Sequence, residues 1–150
     1  MSLDSLSLPN HGRPTAEWVT AGQPSAEQLA QVQQAGVRHV IDLRPPAEDH
    51  GYDEAAEAKK LGMKHQVVPI AGPGDLTLER AKELDAAIAA TNGEATLIHC
   101  ASSNRVGALL ALRAAWLQNA SHEDAMKLGR AAGLTKMEGA VQQLLERGPA

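Results

Sequence analysis

Ala95-Thr96-Leu97-Ile98-His99-Cys100-Ala101-Ser102-Ser103-Asn104-Arg105-Val106-Gly107 is the stretch on which the fold turns. Ala95 to Ile98 is apolar and β-branched, which predicts a buried strand running straight into His99 and Cys100. Four small residues follow, three of them polar, and from Arg105 the chain turns helical, with Val106 to Leu117 as the first helix. A strand, a short loop and a helix N-terminus in that order present backbone N–H groups to an anion. Arg105 can grip two oxygens of such an anion at once. The same positive field favours the thiolate of Cys100, the nucleophilic form of cysteine. Without the loop and the arginine, a lone cysteine after a strand is a small buried hydrophobe.

Outward from this stretch, strands alternate with helices. Trp18-Val19-Thr20 is a strand candidate. Ser25 with Gln28 three residues later is a capping-box pattern opening a helix through Leu29 and Val32 that Gly36 ends. Val37 to Leu43 is a second strand, closed by Arg44-Pro45-Pro46. Asp53 to Leu61 is a short helix, Met63 to Ile70 a third strand, and Gly72-Pro73-Gly74 a turn. Thr77 to Ala90 places Leu78, Ala81, Leu84 and Ile88 on one helical face, and Asn92-Gly93 is a turn before the strand already quoted. Downstream, Ser121 to Ala131 and Thr135 to Leu145 read as helices, opened by capping-box-like Ser121…Asp124 and Thr135…Glu138. Trp18 and Trp116 read as core. The pattern predicts an α/β fold in three layers, a central and mostly parallel sheet flanked by helices, with a helical C-terminal third. Residues 1–16 read as an irregular N-terminal arm and residues 17–150 as a single domain. In such folds ligands bind at the carboxyl ends of the strands, where Cys100 lies.

Composition narrows the function. The chain has 150 residues, 43% hydrophobic and 21% charged, the profile of a globular domain rather than a disordered tail. A net charge of −4 with two Trp, one Tyr and no Phe argues against a nucleic-acid surface or a base-stacking platform. One cysteine excludes an intramolecular disulfide and a multi-cysteine zinc site. MSLDSLSLPN lacks the basic and apolar regions of a signal peptide, and the longest apolar run, Val106 to Leu112, is far short of a membrane span, so a cytoplasmic location is expected. Asn119-Ala120-Ser121 matches a glycosylation sequon only by chance under that reading. His39, His50, His65 and His122 show no metal-ligand spacing, and no Lys-Ser/Thr follows Gly74, so neither metal nor nucleotide cofactor is expected.

His-Cys, a short loop, Arg and a helix resemble the signature of the cysteine-dependent protein tyrosine and dual-specificity phosphatase superfamily. Together with Ala21-Gly22-Gln23-Pro24 and Val40-Ile41-Asp42-Leu43-Arg44-Pro45, they resemble more closely the bacterial beta-lactamase hydrolase-like, phosphatase-like domain family, over roughly residues 18–118. The resemblance implies hydrolysis of phosphomonoesters, phosphotyrosine among them, on a phosphorylated small molecule or protein. Cys100 would attack phosphorus, and Arg105 with the amides of Ala101, Ser102, Ser103 and Asn104 would hold the phosphoryl oxygens. Asp75, after the third strand, is the candidate general acid; its alternative is to cap the helix near Thr77. His99 would orient the cysteine region. Asp42, Arg44 and Glu48, flanking the end of the second strand, are expected to make a surface salt bridge, with an ion-pair network supporting the loop or contact with substrate as alternatives. Three features depart from the superfamily pattern. Only four residues separate Cys100 from Arg105 instead of five, Ser103 stands where glycine is frequent, and Val106 replaces a hydroxyl residue. The shorter loop matches that of rhodanese-like sulfurtransferases, which carry a persulfide on cysteine. A third alternative is a weakly active or inactive anion-binding module.

Overall fold

Short apolar segments that cannot pair as hairpins must be joined by crossovers, and the strands here obey that rule. The computed structural model describes residues 3, 6–48 and 50–149. Residues 1, 2, 4 and 5 of the arm, and 49 and 150 of the domain, lie outside the described residues. The sheet comprises β1 (Trp18–Ala21), β2 (His39–Asp42), β3 (Lys64–Val67) and β4 (Thr96–His99), in the order β1-β4-β2-β3 with every pairing parallel. In that register His99 lies between Ala21 on one side and Asp42 on the other.

The two-residue period of the strands divides the core into two. Val40 and Leu97 face α1 (Ala26–Gln34) and α2 (Glu54–Lys60), packing with Leu29, Val32 and Ala58. Ile41 and Ile98 face α3 (Leu78–Ala89) and α4 (Asn104–Leu117), among Ala81, Leu84, Leu109 and Leu112. Helices thus cover both faces of a parallel sheet, the three-layer α/β arrangement expected from the sequence. Adjacent strands β2 and β4 send their chains to opposite faces, which opens a crevice between their carboxyl ends.

Side-chain caps start most helices where the sequence places them. Ser25 and Gln28 form a reciprocal capping box, and Asp53, Thr77 and Ser121 accept from the backbone N–H groups of Ala56, Arg80 and Asp124. The C-terminal third is α4, α5 (His122–Ala131) and α6 (Glu138–Arg147). Every residue of α4 from Val106 through Ala114 is buried, as befits a helix apolar on all sides. Gly107 lets α5 approach it, since a Cβ there would fall within 3.0 Å of the backbone at Gly129 and Leu134. The buried Arg113 pairs with Asp85 at 3.0 Å and lies over the Trp18 ring at 5.6 Å.

Two expectations need correction. Thr135 does not cap α6, because its N–H and that of Met137 both donate to Asn104 Oδ1 (2.9 and 3.2 Å), and the helix begins only at Glu138. The N-terminal arm packs on the domain: Leu6 and Leu8 are buried with α1, and Gly12 pairs with Thr20 in an antiparallel bridge. Trp18 and Trp116 are half-buried at the margin of the core rather than inside it. No helix among the described residues is long and apolar enough to cross a membrane.

Candidate active site

Three sequence segments far apart in the chain are sewn together at the carboxyl end of β4. Leu43 N–H donates to His99 O (2.9 Å), Cys100 N–H to Ala21 O (3.2 Å), and Gln23 N–H to Ala101 O (3.2 Å). Gly22 faces Ser102 in an antiparallel bridge, and a Cβ on Gly22 would come within 3.0 Å of Ala101 O. The Gly22-Gln23 segment, the strand end at Leu43 and the cysteine loop therefore form one backbone unit.

Within the loop, Ala101 and Ser102 are exposed while Cys100 is fully buried, its side chain belonging to the apolar cluster beneath α4. Ser103 adopts the left-handed conformation, φ 67° and ψ −10°, a strained geometry for a residue with a Cβ, and its buried hydroxyl donates to Asn10 O at 2.8 Å. Ser103 is also the residue that precedes α4, and it supplies no side-chain cap, unlike the residues that open α1, α2, α3 and α5. The side chain of Asn104 points away to the α5–α6 connection.

Arg105, in the first turn of α4, is engaged through both terminal nitrogens. Its Nη1 donates to Glu48 Oε2 (2.8 Å) and to Ile70 O (2.7 Å), and its Nη2 to Glu48 Oε1 (3.1 Å). Arg44 Nε also donates to Glu48 (2.9 Å), while its Nη1 reaches Gln23 Oε1 (2.9 Å). The hydrogen bonds from Arg105, with those of Arg44, outweigh the opposing effect of burial and hold the Glu48 carboxyl at about 2. The alternative of an ion-pair network around Arg44 and Glu48 thus holds, and the network includes Arg105. Asp75, half-buried in the one-turn 3-10 helix Pro73–Asp75, accepts from Ala71 N–H (2.8 Å). Thr77, not Asp75, caps α3. The Asp75 loop begins one residue beyond the carbonyl that Arg105 contacts.

His99 heads a buried network that linear reading missed. Its Nε2 lies 2.7 Å from Glu54 Oε2, and its Nδ1 lies 3.3 Å from Cys100 O. Glu54, buried at the start of α2, also takes His65 Nε2 at 2.8 Å and Gln23 Nε2 at 2.7 Å. Burial pushes its carboxyl up, but the bonds from His65 and His99 together pull it well below the usual range. Asp42 accepts from Arg44 N–H (2.8 Å) and lies 2.6 Å from His50 Nε2. A cleft of about 510 Å³ opens over this network, lined by Asp42, Arg44, Glu48, His50, Glu54 and His65 among others. A second, of about 410 Å³, borders the exposed side of the loop at Ser102, with Asn10, Thr135 and Lys136. Of its members, His99 and Asp42 stand out in the sequence, but Glu54 shows there only as an acidic residue just inside a capped helix, which also fits a favourable helix dipole.

Comparison with known proteins agrees with this architecture. Residues 8–117 match the family model for the phosphatase-like domain of beta-lactamase hydrolase-like protein. Beta-lactamase hydrolase-like proteins from two strains of Xylella fastidiosa are 32% identical over 117 residues, 75% of this chain; the chain spans 27% of their length. Among solved structures, a DUF442 protein of Shewanella putrefaciens superposes with a TM-score of 0.74 at 21% identity, covering 99% of this chain and 100% of that one. TpbA of P. aeruginosa, solved in complex with pTyr, gives 0.66 at 17% identity over 93% of this chain and 84% of its own. At these identities the structural likeness establishes the fold.

Proposed function

Since the chain belongs to the phosphatase-like domain family of beta-lactamase hydrolase-like proteins, we propose that it is a cysteine-dependent phosphatase acting on phosphomonoesters, phosphotyrosine among them. One observation carries the reading: β4 delivers a thiol to a left-handed turn that opens directly into the uncapped N-terminus of α4, with Arg105 in its first turn. The free N–H groups and dipole of that helix favour a dianionic phosphoryl group beside the sulfur.

In this mechanism the Cys100 thiolate attacks phosphorus, the ester P–O bond breaks, and Asp75 protonates the departing oxygen. Water then attacks the phosphocysteine, Asp75 takes its proton, the P–S bond breaks, and inorganic phosphate leaves. Arg105 holds two phosphoryl oxygens as negative charge redistributes in each transition state. Two rearrangements precede chemistry. The loop must turn its buried sulfur outward, and the phosphoryl group must replace the Glu48 carboxylate on Arg105. Val106 offers no hydroxyl to the departing thiolate and the Ser103 hydroxyl is committed to Asn10 O, which leaves exposed Ser102 for that role. Slow turnover is therefore expected.

The test is release of phosphate from 4-nitrophenyl phosphate and from phosphotyrosine peptide. Activity abolished by Cys100→Ser and lowered at least about 100-fold by Arg105→Lys supports the proposal. Absence of turnover with every phosphate ester refutes it, and sulfur transfer from thiosulfate to cyanide in its place reassigns the protein to the sulfurtransferase alternative that the four-residue spacing raises.

A further inference from the structure

The cleft above β2 and α2 contains a group of ligating atoms that the phosphatase mechanism leaves idle. One carboxylate oxygen each of Asp42 and Glu54 and one ring nitrogen of His50 all lie within 4.8 Å of one another. They come from the end of β2, the loop that follows it and the first residue of α2, so the fold and not sequence spacing brings them together.

The histidine is oriented as a ligand. Its Nδ1 lies 2.8 Å from Glu48 O, a carbonyl that can only accept, so Nδ1 carries a hydrogen and donates it. That fixes the ring and points Nε2 at Asp42 Oδ2, 2.6 Å away. A proton bridges two atoms at that separation; a metal ion, with bonds of about 2.0–2.2 Å, would displace that proton and sit to one side of the N···O line, in the open space of the cleft. Donation of the remote ring N–H to a backbone carbonyl is the usual support for a metal-bound imidazole. The carboxylates are equally fixed. Asp42 Oδ1 is taken by Arg44 N–H, and Glu54 is aimed by Gln23, His65 and His99. Open space for ion and water adjoins all three ligands in the 510 Å³ cleft.

We propose that Asp42, His50 and Glu54 form a binding site for a divalent first-row transition-metal ion, with His65 and His99 orienting Glu54. One imidazole and two carboxylates suit Zn²⁺, Mn²⁺, Fe²⁺ or Co²⁺, whereas a nitrogen ligand disfavours Mg²⁺ and Ca²⁺. Three protein ligands leave at least one position to water from the cleft. Because Asp42 is in register with His99, the ion would brace β2 beside the strand that carries Cys100. The site is independent of cysteine chemistry and stands whether or not the protein hydrolyses phosphate esters.

The experiment is titration of the chelator-treated full chain with Zn²⁺ by calorimetry, and with Co²⁺ by visible absorption, with Mg²⁺ as the contrast ion. The expected result is one Zn²⁺ per chain, a Co²⁺ d–d spectrum without a thiolate charge-transfer band, and a rise in unfolding temperature on adding Zn²⁺. Affinity should fall at least about tenfold in His50→Gln and in Asp42→Asn, and stay unchanged in His122→Ala, a control at an exposed residue at the start of α5. Unfolding curves of the metal-free variants separate a lost ligand from a lost fold. If both variants fail to fold, the wild-type stoichiometry and Co²⁺ spectrum decide the question. No saturable Zn²⁺ binding, a thiolate band from Cys100, or affinity unmoved in folded His50→Gln would overturn the site in favour of a proton-bridged His50–Asp42 pair.

Discussion

Replacing Gly22 with alanine tests whether the Gly22-Gln23 segment sets the shape of the cysteine loop. The added Cβ would lie 2.9 Å from Asn10 Oδ1 and closer still to the carbonyl of Ala101, where ordinary contact begins at 3.4 Å. The Asn10 side chain can swing away, but Ala101 O is backbone and must retreat by about 1 Å to reach a normal van der Waals separation. Two hydrogen bonds hold this edge, Gln23 N–H to Ala101 O and Cys100 N–H to Ala21 O, both already 3.2 Å long. A further ångström breaks them, at about 0.5–1.5 kcal/mol each. Overpacking adds about 1–3 kcal/mol, so Gly22→Ala should destabilise the protein by about 2–6 kcal/mol in urea unfolding. If the proposed chemistry operates, a loop displaced by about 1 Å should also lower kcat/KM by about 100-fold. Gly72→Ala is the control, since Gly72 is extended at φ −171° with nothing within 4 Å of a Cβ, and it should change stability by less than about 0.5 kcal/mol. A Gly22→Ala protein with wild-type unfolding midpoint and kcat/KM would refute the claim that this segment braces the loop.

Three other perturbations probe the same region. Ser103→Ala keeps the left-handed backbone but loses the bond to Asn10, costing about 1–2 kcal/mol, whereas Ser103→Gly relieves the strain and should be the more stable of the two by about 1 kcal/mol; equal urea midpoints would count against a left-handed residue 103. The Glu48 carboxyl is depressed from 4.5 to about 2 on folding, so its contribution is complete above pH 4.5 and disappears as pH falls toward 2. The stability gap between wild type and Glu48→Gln should narrow across that window, and a gap independent of pH would show that the Arg105 and Arg44 contacts do not depend on its charge. Asp75→Asn preserves an acceptor for Ala71 N–H and should leave stability within about 0.5 kcal/mol. As a lost general acid, however, it should lower kcat by about 100-fold or more and flatten the alkaline limb of the pH–rate profile; an unaltered profile would confine Asp75 to bracing its loop.

Local chemistry was readable along the chain because its causes are local. Ser25 and Gln28 cap each other across one turn, Asn92-Gly93 adopts two positive φ values, and the two-residue period of Val40-Ile41 and Leu97-Ile98 serves two cores. The position of Cys100 just beyond β4 and of Arg105 in the helix after the loop followed from the same signals. Three long-range contacts were not readable. Glu54 looks like a solvent-facing residue in a charged helix until His65 and His99 converge on it from β3 and β4. Thr135 fits a capping pattern, but Asn104, 31 residues earlier, takes its N–H first. Arg105 was expected to await an anion, whereas Glu48 from the loop beyond β2 already supplies one. Each depends on which strands lie side by side, and strand order is a property of the packed chain.

That strand order bears on how the molecule assembles. β1 touches no other strand but β4, whose residues follow it by nearly eighty positions, and β2 pairs with β4 before it can sit in the middle of anything. Among the described residues no two strands form a hairpin; β2 and β3 pair across one βαβ crossover, and the rest of the sheet waits for β4. A ribosome must synthesise Thr96–His99 before the first strand has a neighbour, and the N-terminal half alone is an unfinished sheet. Folding dominated by such distant pairings runs on the slow side for a chain of this size. A nascent or truncated chain ending before Thr96 would therefore expose Val19 and Ala21 to chaperones and proteases instead of folding on its own.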